Sequence, residues 1–211
     1  MLRITEIFHS IQGESSHIGR PCTFVRLTGC NLRCVWCDSA YTFSGGVDMS
    51  IDDVMASVRR HACGLVEITG GEPLAQQEAL PLIELLCEEG YEVLIETSGS
   101  IDVSKVDRRA NLIMDLKCPG SGEDDKNLWE NLGFLEPHDE IKFVIADRAD
   151  YDWARQIVQE HRLQRWTVLF SPVWGTMDLK DLAEWMLADK VPARLQTQLH
   201  KHIWGPDVRG V

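Results

Sequence analysis

Short apolar runs rich in β-branched residues recur along the chain, and segments with helical periodicity separate them. Runs of four to eight such residues are typical of strands buried on both faces. They predict six strands, at residues 23–27, 65–69, 92–96, 112–115, 140–145 and 166–170.

The intervening segments predict helices. Ser50 is a candidate N-cap with Asp53 three residues on, and apolar residues recur at i, i+3, i+4 and i+7 from Ile51. Further helices are predicted over 78–89, 147–161 and 178–188. The first of these should stop at Gly90, since glycine commonly follows a helix end.

Strand–helix alternation favours parallel strands joined by right-handed crossovers. Six strands are too few for a closed eight-stranded barrel, so we expect an α/β fold with a partial parallel barrel. A doubly wound flat sheet is the alternative. Residues 1–211 are expected to form one domain, with an added N-terminal strand over 2–7 and a tail without regular structure over 195–211.

Polar residues gather where the predicted strands end, at 69–73, 96–99, 115–117 and 171–172. The carboxyl ends of parallel strands build the active site in barrels and in open α/β sheets. This distribution predicts an enzyme whichever architecture holds.

Charge and hydropathy limit the classes of partner that the protein is expected to bind. A net charge of -12 disfavours nucleic acid and anionic membrane surfaces, both of which select basic faces. No stretch approaches the roughly 20 apolar residues of a membrane span. The charged N-terminal segment is unlike a signal peptide, so a cytoplasmic location is expected.

Three of the seven cysteines, Cys30, Cys34 and Cys37, crowd into eight residues after the first predicted strand. Clustered thiolates suit zinc or an iron–sulfur cluster. No fourth ligand for a structural zinc lies nearby, and a Cys34–Cys37 dithiol would leave Cys30 without a role. A [4Fe–4S] cluster with one open iron is the leading interpretation, with zinc and dithiol sites as alternatives.

The Cys-x3-Cys-x2-Cys spacing, with Trp36 before the last cysteine, resembles the radical S-adenosylmethionine signature. The resemblance implies that the open iron chelates S-adenosylmethionine and that its cleavage yields a 5′-deoxyadenosyl radical. The turn Gly70-Gly71-Glu72-Pro73 resembles the family's segment beside the methionine amino group. Ser98 and Lys117 are further implied cofactor contacts, with Lys117 near the methionine carboxylate.

Three further segments, at 7–14, 37–39 and 195–201, resemble the 7-carboxy-7-deazaguanine synthase family. Members contract the ring of 6-carboxy-5,6,7,8-tetrahydropterin, release ammonia and produce a precursor of queuosine-type bases. The resemblance covers essentially the whole chain. It also implies an abbreviated barrel, with both chain ends contributing to the substrate site.

The family's substrate contacts fall on residues with suitable chemistry. Gln12 and Glu14 can bind the pyrimidine edge of a pterin, and Arg26 or Lys201 can bind its carboxylate. A family histidine that contacts substrate corresponds to His200. Ser39 aligns with a hydroxyl residue that binds Mg²⁺, although some relatives carry threonine there.

The resemblance further implies a homodimer and a reducing partner such as flavodoxin or ferredoxin. Two other functions share part of the pattern. An activase for a glycyl-radical enzyme would share the cysteine and Gly-Gly-Glu-Pro motifs, but not Cys-Asp-Ser or the Gln-Leu-His-Lys tail. A non-catalytic zinc or iron–sulfur binding module would need only the cysteines.

Overall fold

A computed structural model describes residues 1–211, which form one nine-stranded sheet. The strands are β1 Leu2–Ile11, β2 Pro21–Leu27, β3 Val47–Met49, β4 Leu65–Gly70, β5 Glu92–Thr97, β6 Asn111–Asp115, β7 Glu140–Ile145, β8 Thr167–Pro172 and β9 Arg194–Leu195. The helices are α1 Ile51–His61, α2 Ala79–Glu88, α3 Arg148–Glu160, α4 Leu179–Asp189 and α5 Leu199–Trp204, and short 3-10 turns occupy several connections.

The strand order is β3-β1-β2-β4-β5-β6-β7-β8-β9. From β2 to β9 every pair is parallel, whereas β1 runs antiparallel to both β2 and β3. The parallel strands follow one another without the reversal of order that marks a doubly wound sheet. Right-handed crossovers then place the helices on one face, which gives a partial barrel rather than a flat sheet with two covered faces.

The helices form where the sequence supplies caps and an apolar stripe. Ser50 and Asp53 make a reciprocal capping box at the start of α1, and Asp178 accepts two backbone N–H groups at the start of α4. Their buried faces pack on the outside of the sheet in two clusters. One cluster joins α1 and α2 to the first half of the sheet, and the other joins α3 and α4 to the second half.

The inner face of the sheet is divided between apolar and charged side chains. A separate cluster of six buried residues, contributed by five strands, fills the inner face: Cys22, Phe24, Leu65, Leu94, Ile113 and Leu169. Because strand side chains alternate with period two, the next inward positions are Arg26, Glu67, Glu96 and Asp115. The barrel interior is therefore apolar towards the amino ends of the strands and charged towards their carboxyl ends.

The six strands predicted from apolar runs are all present, within two residues of the expected ends. The N-terminal strand is longer than predicted and continues to Ile11. The expectation of a tail without regular structure was wrong, because β9 extends the sheet and α5 follows it. No helix has the length and apolar character needed to cross a membrane.

Candidate active site

A cavity of about 780 Å³ opens at the carboxyl ends of the parallel strands. Its size lies within the range of ligand sites. The lining comes from all parts of the chain: β1 and the segment after it, the cysteine-bearing segment, the ends of β4–β8, and α5 with the residues after it. Nearly all of the site residues predicted from the sequence lie here.

The three clustered cysteines lie on the segment after β2, which we call the cysteine loop (residues 28–39). All three thiols are free, partly buried and part of the cavity wall. The loop is fixed from outside, since Val35 N–H donates to Ser121 O (3.0 Å) and Arg33 N–H to Glu123 Oε1 (2.6 Å). Sequence-distant segments thus hold the thiols towards the cavity.

The donor set of the cysteine loop fits an iron–sulfur cluster. Burial raises the pKa of all three thiols and the Lys117 ammonium opposes this, and a positively charged metal centre bound here would hold them as thiolates. The Leu32 N–H donates to Cys30 Sγ at 3.4 Å, a contact that stabilises sulfur charge. No three His, Cys, Asp or Glu side chains converge closely enough for a single metal ion. Three cysteines on one loop of the cavity wall supply the thiolate ligands that iron–sulfur clusters use.

The two glycines that follow β4 are required by a close approach of backbones. Gly70 has φ +147°, and a Cβ there would overlap Leu27 O. A Cβ on Gly71 would overlap Gly29 O and Cys30 Cβ. This turn therefore packs directly against the start of the cysteine loop, where both line the cavity.

Glu72, predicted as a cofactor contact, lies behind the cavity wall. Its side chain is fully buried, is absent from the cavity wall and accepts from Leu74 N, Thr97 Oγ1 and both the backbone N–H and hydroxyl of Ser98. Both carboxylate oxygens are occupied, so Glu72 joins the turn after β4 to the end of β5. Its backbone N–H also donates to Gly29 O at 2.9 Å.

Ser98 and Lys117 both reach the cavity wall. The Ser98 hydroxyl is shared between Glu72 and Ser100. The Lys117 ammonium donates to Asp115 Oδ2 at 2.8 Å. Burial would lower the pKa of Lys117, but the Asp115 carboxylate and the nearby Cys34 sulfur outweigh it and raise the pKa. Lys117 is thus a fixed positive charge near the cysteine loop.

The residues expected to bind substrate lie in the same cavity, and most are already oriented by partners. Gln12 accepts from Glu14 N–H and donates to Glu67 Oε2. Arg26 pairs with Glu6 at 2.8 Å and lies over the Phe8 ring. The Glu6 contact uses Arg26 Nε, and Arg26 also lines the cavity.

Glu14 is the most heavily contacted of these residues. Lys142 Nζ lies 3.2 Å from Glu14 Oε2, and Gln196 and Gln198 donate to its two oxygens at 3.1 and 3.0 Å. Burial would raise the pKa of Glu14, but the Lys142 ammonium and the Gln198 amide outweigh it, so the pKa lies below its usual value. Glu14 is therefore an ionised hydrogen-bond acceptor.

The α5 helix brings His200 and Lys201 to the cavity. His200 packs against Gly13 so closely that a Cβ there would overlap its ring, and burial lowers the pKa of His200. Lys201 Nζ donates to Asp38 Oδ2 at 2.7 Å, and Ser39 Oγ donates to Asp38 Oδ1 at 3.0 Å. An ion pair thus ties the C-terminal helix to the end of the cysteine loop.

The structure groups Glu14, predicted as a substrate contact, with two residues of the predicted polar strand ends, Glu96 and Asp115, and two that sequence reasoning missed, Glu67 and Lys142. We call these five residues inside the barrel the charged layer: Glu14, Glu67, Glu96, Asp115 and Lys142. Each lines the cavity, and each of the last four interrupts or ends an apolar strand. The available signal was a charged residue inside an otherwise apolar strand. Such a residue indicates that one face of the strand is polar, so the strand is not apolar on both faces.

Comparison with known proteins accounts for this combination of fold and site. The sequence profile of the radical SAM superfamily matches residues 24–186. A 7-carboxy-7-deazaguanine synthase of Koribacter versatilis is 52% identical over the full length of both chains. One of Chlorobaculum tepidum is 46% identical, covering 100% of this chain and 97% of the relative.

The chain belongs to the 7-carboxy-7-deazaguanine synthase family. A solved structure of QueE from Escherichia coli agrees, with a TM-score of 0.77, 25% identity and 94% of each chain covered. Streptococcus suis SuiB bound to S-adenosylmethionine shares the fold at a TM-score of 0.54 and 15% identity. The predicted α/β partial barrel and the radical SAM core are confirmed, and a [4Fe–4S] cluster and S-adenosylmethionine are the family's cofactors.

Proposed function

We propose that the chain converts 6-carboxy-5,6,7,8-tetrahydropterin to 7-carboxy-7-deazaguanine and ammonia, as a radical SAM lyase of deazapurine biosynthesis. The observation that carries this proposal is one cavity lined both by the three cysteines and by Gln12 and Glu14. A cofactor held at the thiols would lie within the same enclosure as a substrate held at the other side. The full-length relatives support the same activity.

In the proposed arrangement, Cys30, Cys34 and Cys37 hold the [4Fe–4S] cluster. When bound with S-adenosylmethionine, the cluster supplies the 5′-deoxyadenosyl radical that abstracts hydrogen in this family. Gly70 and Gly71 give the cofactor access to the backbone after β4, and Ser98 and Lys117 are polar groups of the same wall. Glu72 acts indirectly, by holding Ser98 and the turn in place.

The substrate-binding side acts by orientation and charge. Glu14 is an ionised acceptor for the N–H groups of the pterin pyrimidine edge, and the Gln12 amide lies beside it. His200 bounds the same region, and Arg26 and Lys201 offer cations to the substrate carboxylate. The apolar cluster on the inner face of the sheet and α5 bound this region, which would limit the access of water to a reacting radical.

A Mg²⁺ ion at Ser39 is part of the proposal. The Ser39 hydroxyl and the Asp38 carboxylate are the oxygen donors of the cavity wall there, and hard cations choose oxygen ligands. Asp38 is engaged by Lys201 and Gln198, so substrate oxygens and water would complete the coordination. Burial by itself would raise the pKa of Asp38, but Lys201 and these hydrogen bonds lower it, so its carboxylate is ionised.

The partners are proposed on the family resemblance: a flavodoxin- or ferredoxin-type electron donor and a homodimer in the cytoplasm. Sedimentation velocity tests the dimer, and turnover with each reduced donor tests the electron source.

The decisive experiment is anaerobic reconstitution followed by turnover. We expect about four irons and four sulfides per chain. With S-adenosylmethionine, Mg²⁺ and a reductant, the protein should convert carboxytetrahydropterin to a product of the mass of 7-carboxy-7-deazaguanine, with one ammonia released. Bound zinc without iron would overturn the enzyme function. Loaded cluster and cofactor cleavage without this product, with a radical transferred to a partner protein instead, would favour the activase.

A further inference from the structure

Lys142 occupies the centre of the charged layer. It lies on β7 with only 6% of the residue exposed, and its side chain points into the cavity it lines. Its ammonium contacts Glu96 Oε1, lies 3.2 Å from Glu14 Oε2 and lies 3.8 Å from Asp115 Oδ2. One cation therefore serves carboxylates from three other elements: the segment after β1, β5 and β6.

The neighbouring carboxylates have other arrangements. Asp115 already has Lys117 at 2.8 Å. Glu67 has the Gln12 amide as its partner and makes no ion pair within 4 Å. Glu14 has Lys142 as its one ion-pair partner, because its remaining contacts are the neutral amides of Gln196 and Gln198. The charge of Glu14 thus depends on a single buried lysine.

We propose that Lys142 is a positioning residue for substrate: it holds the Glu14 carboxylate ionised and correctly aimed to accept hydrogen bonds from the pterin pyrimidine edge. Lys142 acts through Glu14 and need not touch the substrate. This inference rests on the proposed function, which assigns Glu14 to the substrate. It adds a residue 128 positions away that determines whether this acceptor carries charge.

The pKa shifts of the buried carboxylates differ in direction within the charged layer. Burial raises the pKa of Glu96 to about 8 even though Lys142 contacts it, whereas the pKa of Glu14 is lowered. Burial likewise raises the pKa of Glu67 to about 7. Near neutral pH Glu14 therefore keeps its negative charge beside Lys142, while Glu67 and Glu96 bind protons more readily.

Removing Lys142 should make substrate binding depend on pH. Without the ammonium, burial of Glu14 is opposed mainly by the Gln198 amide, with a smaller contribution from His200, so the pKa of Glu14 rises and its acceptor is lost as pH falls. The charged and titratable groups around this pair come from every neighbouring element: Glu67, Glu96, Asp115, Lys117, Asp38, Arg26, His200 and Lys201. The same residues are present in wild type and variant, but Glu96 also loses its contact with Lys142, so a second comparison in which Glu96 is replaced is needed.

The test measures the Kd of 6-carboxypterin for the anaerobic holoenzyme by equilibrium dialysis at pH 6 and pH 8. This compound keeps the pyrimidine edge and the carboxylate of the proposed substrate. For K142M, the ratio of its Kd to the wild-type Kd should be at least about tenfold larger at pH 6 than at pH 8. K142R should return this ratio towards wild-type behaviour, because it keeps the charge. Lys180→Met, at an exposed position on α4, is the matched lysine control and should bind like wild type.

A second pair of variants keeps the test valid if K142M folds poorly because its buried carboxylates lose their cation. E96Q and E96Q/K142M differ only in the lysine, and the double variant removes one carboxylate together with the cation. The same pH-dependent ratio is expected between them. A ratio that stays constant from pH 6 to pH 8 in both pairs, or K142R behaving like K142M, would overturn the role of Lys142. Failure of the wild type to bind 6-carboxypterin would instead overturn the proposed function.

Discussion

The cysteine loop and the charged layer line the same cavity but are built in different ways. The loop presents three side chains from eight consecutive residues, and backbone hydrogen bonds to distant segments hold it. The charged layer takes one residue from each of β4, β5, β6 and β7 together with Glu14, and Lys142 contacts or lies near three of the other four. One is encoded by spacing along the chain, and the other by the register of strands.

This difference indicates where cofactor-binding and substrate-binding residues are expected. A loop that carries its own ligands keeps its donor set in any fold that presents it, which suits a cofactor shared by many enzymes. A layer assembled across strands exists only in the folded barrel, where burial sets the protonation of each carboxylate. Substrate-specific contacts are therefore expected in the layer, and cofactor contacts in the loop.

The sharpest way to break the comparison is to remove one loop ligand. In C34A the cluster should lose a thiolate that no neighbouring residue can replace, so bound iron and product formation should fall to background. Iron analysis, the visible spectrum of the cluster and turnover measure this. C63A is the matched control, because Cys63 is also partly buried but lies outside the cavity wall. Iron and turnover retained in C34A would refute the ligand assignment.

Glu72 connects the two regions, and its removal should show in stability. In E72A the buried N–H groups of Leu74 and Ser98 lose their acceptor, which should cost about 3 kcal/mol of unfolding free energy. For a chain of this size the midpoint of thermal unfolding should fall by roughly 6–12 °C. E72Q keeps one carbonyl oxygen and should lose about half as much.

The E72A measurement also decides between two roles for this residue. If E72A unfolds like wild type while S-adenosylmethionine binding is lost, Glu72 is a direct cofactor contact, as the sequence resemblance implied. If stability falls and the residual folded protein still binds the cofactor, Glu72 positions Ser98 and the Gly70–Gly71 turn.

The sequence predicts those features of the molecule that depend on local patterns, and it does not predict those that depend on contacts between distant residues. The six core strands were predictable because their apolar runs are local, and the thiols because their spacing is local. The α5 helix was not, since six residues are too few for a clear helical period, and its place is set by contacts of Gln198 and Lys201 with Glu14 and Asp38. The meeting of Glu96 with Lys142 depends on strand tilt and register, which no local pattern carries.

The smallest predicted effect tests burial within the charged layer itself. Glu67 has a folded-state pKa of about 7 against a reference of 4.5, and burial is the main cause. The folded protein therefore keeps a proton that the unfolded chain has released, and this contribution to stability is lost as pH rises from about 4.5 to 7. E67Q has no such proton to lose. Relative to wild type, the variant should gain about 2 kcal/mol of unfolding free energy between pH 5 and pH 8.

Urea unfolding of wild type and E67Q at the two pH values gives this difference directly, because all other titrating groups are common to both chains. E78Q, which alters an exposed carboxylate before α2, should follow the wild-type dependence because water already solvates that group. Equal pH dependence of E67Q and wild type would mean that water or a cation compensates Glu67 inside the barrel. Burial would then not set the protonation of this carboxylate, and the contrast drawn between the two regions would fail at this residue.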